Sequence, residues 1–301
     1  MRHTVSEIWR YPVKSFGGER LDSAVIGSDG IRGDHVWALV DSETGHVASA
    51  KRTRLWSPLL GCRARLLDDA SVTDPGALEI TLPDGTVLRG DDPNTVSRLS
   101  ALVGRAVSLR TPGEAAKVME MEWVAESRIG MDAAVSASAS RTGQDAGSDV
   151  PVGAVPTGGA SERFYDLAPL HVLTTSSVNA LQPGSAGRVT RRFRPNIVVG
   201  EDHWDAGWVE DAWVGERVRV GATEITGRMP TGRCVMVNLA HQDLPAEKQT
   251  LRNIAAAHRV PGPYGTADLP SIGIYADVVT AGQIRVGDVV ETITTADLAE
   301  R

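Results

Sequence analysis

Glycine interrupts this chain 31 times, and between the interruptions apolar residues recur at every second position rather than every third or fourth. In "ALEITLPDGTVLRG" (77–90), Leu78, Ile80 and Leu82 alternate with Glu79 and Thr81; "RVRVGATEIT" (217–226) and "IRVGDVVETI" (284–293) repeat the pattern. A period of two puts one face of a strand against a core and the other toward polar surroundings, and runs this short cannot build long amphipathic helices. Such a chain folds into meanders of short strands, and closing them into barrels removes their exposed edges. The expected class is mainly β, within α+β, with barrel-like halves and a few helices.

Local chemistry refines this picture. Asp84-Gly85 between two alternating runs predicts a hairpin with a type I′ turn. Asp92 followed by Pro93 predicts a helix start, with Val96, Leu99, Leu102 and Val103 on one side and Gly104 at the end. A second helix is expected across "AEKQTLRNIAAAHR", where Leu251, Ile254, Ala255 and His258 share a face. Between the halves, composition shifts to Ala, Ser, Gly, Asp and Pro, with almost nothing large enough to bury. This divides the chain into a first domain at 1–125, a flexible linker at 126–162 and a second domain at 163–295.

The 31 Lys and Arg against 38 Asp and Glu give a net charge of −7, which argues against a nucleic-acid partner while leaving room for one local basic site. No apolar run approaches the ~18 residues of a membrane span, and the chain opens on a strand pattern rather than a leader. A cytoplasmic protein without membrane association is expected. The only two cysteines, Cys62 and Cys234, are 172 positions apart, so no iron–sulfur or zinc knuckle is built from this chain. Cys62, in "LLGCRARLL", alternates with Arg63 and Arg65 and reads as a core residue.

Cys234 follows the turn-prone "MPTG" and stands beside Arg233. Read as a strand, "CVMVN" sends Val235, Val237 and Leu239 to one face and Cys234, Met236 and Asn238 to the other. The neighbouring guanidinium favours thiolate, the nucleophilic and metal-binding form, although a small core thiol fits the spacing equally. Arg188, Arg191, Arg192 and Arg194 crowd just before Pro195. Alternation puts Arg192, Arg194 and Asn196 on one face, as a clamp for phosphate or as the charged edge of a sheet. Lys14-Ser15 before two glycines is an anion nest or an ordinary turn, and Lys51-Arg52 end another strand-like run. The seven histidines show no metal-ligand spacing, and without a G-x-S-x-G elbow a hydrolase triad is not expected.

Taken in order, YPVKS, GxxxDHxW…ASAK, FYDLAPxHxL, RFRPNIVV, GRCVM and IRVGD resemble the MOSC proteins that carry an N-terminal MOSC_N β-barrel domain, the family of the amidoxime-reducing components. The similarity covers nearly the whole chain outside the linker. It implies a β-rich fold holding the molybdenum cofactor, Mo-molybdopterin, with Cys234 as metal ligand and Arg233 beside it. It further implies that Lys14, Ser15, Lys51, Thr174, Thr175, Arg192, Arg194 and Asn196 hold the pterin and its phosphate. The chain departs from the family at His35, where D-R-x-W is common, and at Asn238, where C-x-x-T-T is common. Asn238, placed by alternation on the cysteine's face, is the change expected to alter the catalytic site.

The function so implied is an oxidoreductase removing oxygen from N-hydroxylated or N-oxide small molecules. The chain lacks the cysteines for a ferredoxin domain, so electrons are expected from a separate ferredoxin-like or flavoprotein donor. Two other readings stay open. Cys234 could carry a persulfide in cofactor or sulfur handling, or the arginines could bind an anion in a metal-free protein. MOSC domains also occur fused to pyridoxal-phosphate-dependent desulfurases, but nothing like that domain fits in this chain.

Overall fold

The computed structural model describes residues 3–68, 76–115, 118–122, 140–144, 151–157, 163–201, 207–262 and 268–293. Seven strands close a barrel: β1 (His3–Arg10), β2 (Leu170–Thr174), β3 (Ile197–Glu201), β4 (Arg217–Val220), β5 (Thr223–Gly232), β6 (Leu269–Thr280) and β7 (Val289–Thr292). Around the ring the order is β1, β7, β4, β5, β6, β2, β3 and back to β1. An odd ring cannot alternate direction all the way round, so at least one neighbouring pair must be parallel. That pair is β2 and β3, with Val172 opposite Ile197 and Thr174 opposite Val199; the other six pairs are antiparallel. Val5, Ile8, Val172, Val199, Val218, Val220, Ile274 and Val290 belong to one buried cluster, the alternating apolar sets that the sequence pattern announced.

Parallel neighbours cannot be joined by a tight hairpin. Residues 175–196 make the crossover, through a helix at Thr175–Leu181 and a 3₁₀ turn at Thr190–Phe193. The crossover packs outside the sheet, where Val178 and Phe193 meet Leu173, Val237, Ile272 and the Thr250–Ala257 helix through Leu251 and Ile254. The arginine-rich segment is therefore the return leg of a crossover. Arg192 and Arg194 do not alternate on a strand, because residues 190–193 are helical and Arg194 ends the turn at φ 56°.

The first half has its own core, in which Phe16, Leu39, Trp56, Leu59, Cys62, Ile80 and Leu99 pack together. Its helix, Pro93–Val103, starts as expected: an Asp92 carboxylate oxygen accepts from Asn94 N at 2.8 Å, and Gly104 closes the helix at φ 67°. The hairpin between Leu78–Thr81 and Val87–Arg89 differs from expectation. Only Gly85 takes positive φ (84°), and its N–H donates to Leu82 O. Type I′ needs two such residues. Pro83 instead favours a type I turn, and Gly85 supplies the left-handed residue that follows it.

Strand pairing ignores the linear division of the chain. The first strand of the molecule, β1, sits in the barrel between β3 and β7, and the Ser23–Gly27 strand pairs with Gly282–Arg285. Two segments inside the expected linker are also strands: Ser140–Gln144 and Pro151–Pro156 pair with each other, and the latter with Val118–Glu122. Backbone hydrogen bonds hold such a sheet, so small side chains are no obstacle to it. Most of the remaining linker lies outside the described residues.

Candidate functional site

In "YPVKSF" the chain turns sharply, Phe16 N donating to Val13 O while Ser15 stands at φ 67°. A non-glycine residue there is strained by roughly 1 kcal/mol. The Ser15 hydroxyl oxygen accepts from Ala50 N at 3.0 Å, pinning the segment that carries Lys51. Lys14 and Lys51 converge on Asp166: Lys14 Nζ is 2.7 Å from one carboxylate oxygen and Lys51 Nζ 2.9 Å from the other. Lys14, buried, also donates to Phe164 O (2.7 Å) and Thr157 Oγ1 (3.2 Å). All three of its protons are thus placed on protein oxygens. Lys51 has Asp166 as its one described partner.

Burial works against every charge in this group. It holds Lys14 below the ordinary lysine value, with Lys51 adding to the effect against Asp166. Burial alone would raise Asp166, but Lys14 and Lys51 outweigh it and keep the carboxyl well below its usual range. For Lys51 burial is outweighed by Asp166, with Tyr275 and Cys234 next, so its ammonium is held more firmly than usual. Cys234 and Tyr275 thus lie within electrostatic reach of Lys51, and Arg233 feels the same two groups. The Tyr275 phenol, pushed up to about 12 chiefly by burial, keeps its proton. Cys234 is half-buried. Four cations, Lys14, Lys51, Arg194 and Arg233, lie within electrostatic reach of Asp166, and Asp34 also acts on Arg194.

The arginines divide their labour. Arg194 stacks over the Tyr11 ring at 4.4 Å and donates to Phe16 O. Arg233 donates to Phe193 O at 2.8 Å, while its buried Nε has no described partner. Arg192 is different: its guanidinium is filled by Val237 O (3.1 Å), Leu239 O (2.7 Å) and Pro245 O (2.7 Å). It clamps the chain just after Cys234. Asn196 bridges neighbouring strands, accepting from His171 N at 3.0 Å and donating to Trp9 O at 3.4 Å.

The cysteine segment corrects a second expectation. Val235–Asn238 is a 3₁₀ turn preceded by Cys234, so alternation does not hold and Asn238 is not set beside the thiol by a strand. Its Oδ1 accepts from Leu251 N at 2.8 Å, in the first turn of the Thr250–Ala257 helix, which has no side-chain cap of its own. Thr174 lies at the far end of β2 from Arg194 and Asn196. Its hydroxyl, with that of Ser177, donates to the fully buried Glu210 at 2.5 Å. Thr175 begins the helix beside it. His35 pairs with Asp34 at 2.5 Å. Of the expected residues, Cys234, Lys51, Arg194 and Arg233 keep capacity for a ligand; Arg192, Asn196, Asn238, Thr174 and Lys14 are committed to the protein. Sequence reasoning missed Asp166 and Tyr275 as members of the site, although Asp166 stands within the quoted FYDLAP motif.

Residues 160–291 match the MOSC domain, and residues 2–127 match the MOSC N-terminal beta barrel domain. The chain belongs to the MOSC family. It is 26% identical over 302 residues to mitochondrial amidoxime-reducing component 1 of Mus musculus, covering 95% of this chain and 81% of that one. To mitochondrial amidoxime reducing component 2 of Homo sapiens it is 25% identical over 305 residues, covering 95% and 82%. The crystal structure of the YUAD protein from Bacillus subtilis aligns over 97% of this chain and 96% of that one, at 8% identity and a TM-score of 0.38. Among the described residues of this MOSC protein no three His, Cys, Asp or Glu side chains are grouped to hold a metal, and no helix is long and apolar enough to cross a membrane. One thiol among cations, beside an unpaired Arg233 Nε, fits a metal that arrives already held by an anionic organic group.

Proposed function

We propose that this MOSC protein binds the molybdenum cofactor and reduces N-hydroxylated or N-oxide small molecules. The observation that carries the reading is the half-buried Cys234 thiol within the field of Lys51, Arg233 and Tyr275, in a recess with excess positive charge. The names of the amidoxime-reducing relatives support the same chemistry. Cys234 would be the ligand to the metal, and Lys51, Arg194 and Arg233 would hold the anionic part. Ser15, Lys14 and Asp166 fix Lys51, and Arg192 fixes the cysteine segment.

When bound, the cofactor supplies the two-electron chemistry that breaks an N–O bond, and the oxygen leaves as water with two protons. Lys51 and Tyr275, both protonated, lie within electrostatic reach of Cys234 and are the groups placed to supply protons there. In the same reading the protein is cytoplasmic and takes its electrons from a separate ferredoxin-like or flavoprotein donor. Metal analysis on protein from a cofactor-producing host tests the proposal. One molybdenum per chain, lost in Cys234→Ala, is expected, together with turnover of an amidoxime by a chemical reductant. Cys234→Ser at wild-type activity would remove the ligand role, and absence of both molybdenum and pterin would end the reading.

A further inference from the structure

Residues 128–159 lie outside both matched regions, and the resemblance gives them no part in the site. Their strand Pro151–Pro156 nonetheless pairs with Val118–Glu122, Pro156 opposite Val118. That strand is docked in turn on the first half: Val47 N donates to Val118 O at 2.7 Å, and Met119 packs with Ala38, Val40 and Phe164. Beside Met119, the buried Glu120 carboxylate pairs with Arg52, the sequence neighbour of Lys51, and with His46 Nδ1 at 3.2 Å. So held, the strand ends at Thr157, which is only 1% exposed. The Thr157 hydroxyl has one proton. Its shortest contact, 2.7 Å, is to Tyr165 O, so it donates there and accepts from Lys14 Nζ at 3.2 Å. Phe164 O and one Asp166 carboxylate oxygen take the other two Lys14 protons, each at 2.7 Å. Residues 164, 165 and 166 are thus each tied to Lys14 or Thr157, which fixes how Asp166 divides its oxygens between Lys14 and Lys51.

We propose that Thr157 is a positioning residue of the Cys234 site, holding Lys14 and Asp166 so that Lys51 stays on the second Asp166 oxygen. A buried ammonium group is costly unless each of its protons has an acceptor, and Thr157 supplies the third. With the hydroxyl gone, Lys14 keeps one proton unplaced, and Asp166 is drawn toward it at the expense of Lys51. Only the choice of this recess as the working site rests on the function proposed above; the hydrogen bonds at Lys14 do not require molybdenum.

The lysines of the chain are Lys14, Lys51, Lys117 and Lys248, few enough for NMR of isotope-labelled lysine to resolve each ammonium group in the full chain. Lys14 is expected to give a slowly exchanging signal. Thr157→Val keeps the shape of the side chain and should speed that exchange with water about tenfold. In molybdenum-loaded enzyme the same variant should lower kcat for an amidoxime about tenfold, with KM within about twofold and metal content unchanged. Thr157→Ser, which restores the hydroxyl, should recover both; Thr157→Ala is read in place of Thr157→Val if the valine variant does not fold. A wild type without a protected Lys14 signal, an unchanged signal in Thr157→Val, or a Thr157→Ser protein no better than Thr157→Val overturns the proposal. So does wild-type kcat in a Thr157→Val enzyme whose Lys14 signal has changed. Protein that holds no molybdenum would sink the function proposed above and leave the Lys14 measurement to decide the role of Thr157.

Discussion

Arg192 and Arg194 are two residues apart and carry the same side chain, yet one is structural and the other free for a ligand. Three carbonyls fill the Arg192 guanidinium, and removing it leaves them unpaired in a buried place. Arg192→Met is expected to lower stability by about 2–4 kcal/mol in urea unfolding, with metal retention falling only as the cysteine segment loosens. Two buried histidines make a pH prediction. Burial, with nearby arginines, pushes His171 from 6.5 to about 3 and His241 from 6.5 to about 4. Both are neutral when folded and take up protons when unfolded, so their contribution is complete above pH 6.5 and is lost as pH falls toward 4. The slope approaches about 1.4 kcal/mol per pH unit for each histidine. Glu210, raised by burial, acts with opposite sign, so the comparison that isolates the histidine is wild type against His241→Gln. The variant should show a shallower fall between pH 6.5 and 4.

Among the elements, the parallel pair of β2 and β3 decides where the site can be. A ring of seven strands needs it, and the pair in turn needs a crossover. The crossover's return leg brings Arg192 beside the cysteine turn and Arg194 beside Tyr11. Local periodicity could not reveal this, because Thr190–Phe193 and Val235–Asn238 are 3₁₀ turns, where a two-residue alternation assigns the wrong faces. The helix caps at Asp92 and Gly104, by contrast, were legible, since their physics is contained in adjacent residues. Asn238 shows the limit: it supplies an N-terminal hydrogen bond to a helix that begins twelve residues later. Asn238→Ala is expected to cost about 1 kcal/mol by denaturant unfolding and to leave molybdenum content unchanged. A large loss of metal at unchanged stability would return Asn238 to the catalytic site.

For the molecule as a whole, the strand that opens the chain completes the barrel of its second half. β1 lies between β3 and β7, with Val5 opposite Val199 and His3 opposite Val290. Residues 163–301 alone would therefore have an open ring, with two unpaired edges and part of its apolar cluster in water. That fragment is expected to show no cooperative thermal transition, and addition of a peptide spanning residues 1–22 should restore one; cooperative unfolding of the fragment alone would show that the ring closes without β1. The sequence by itself determined the class of fold, the caps, the burial of Cys62 and the motifs that place the chain among MOSC proteins, because each depends on alternation, turn chemistry or residues in order along the chain. Only the tertiary structure decided which cations are free. Whether Arg192, Lys14 or Asn196 has donors left for a ligand depends on carbonyls and carboxylates brought from distant segments, and hydrogen-bond capacity is spent in space rather than along the sequence.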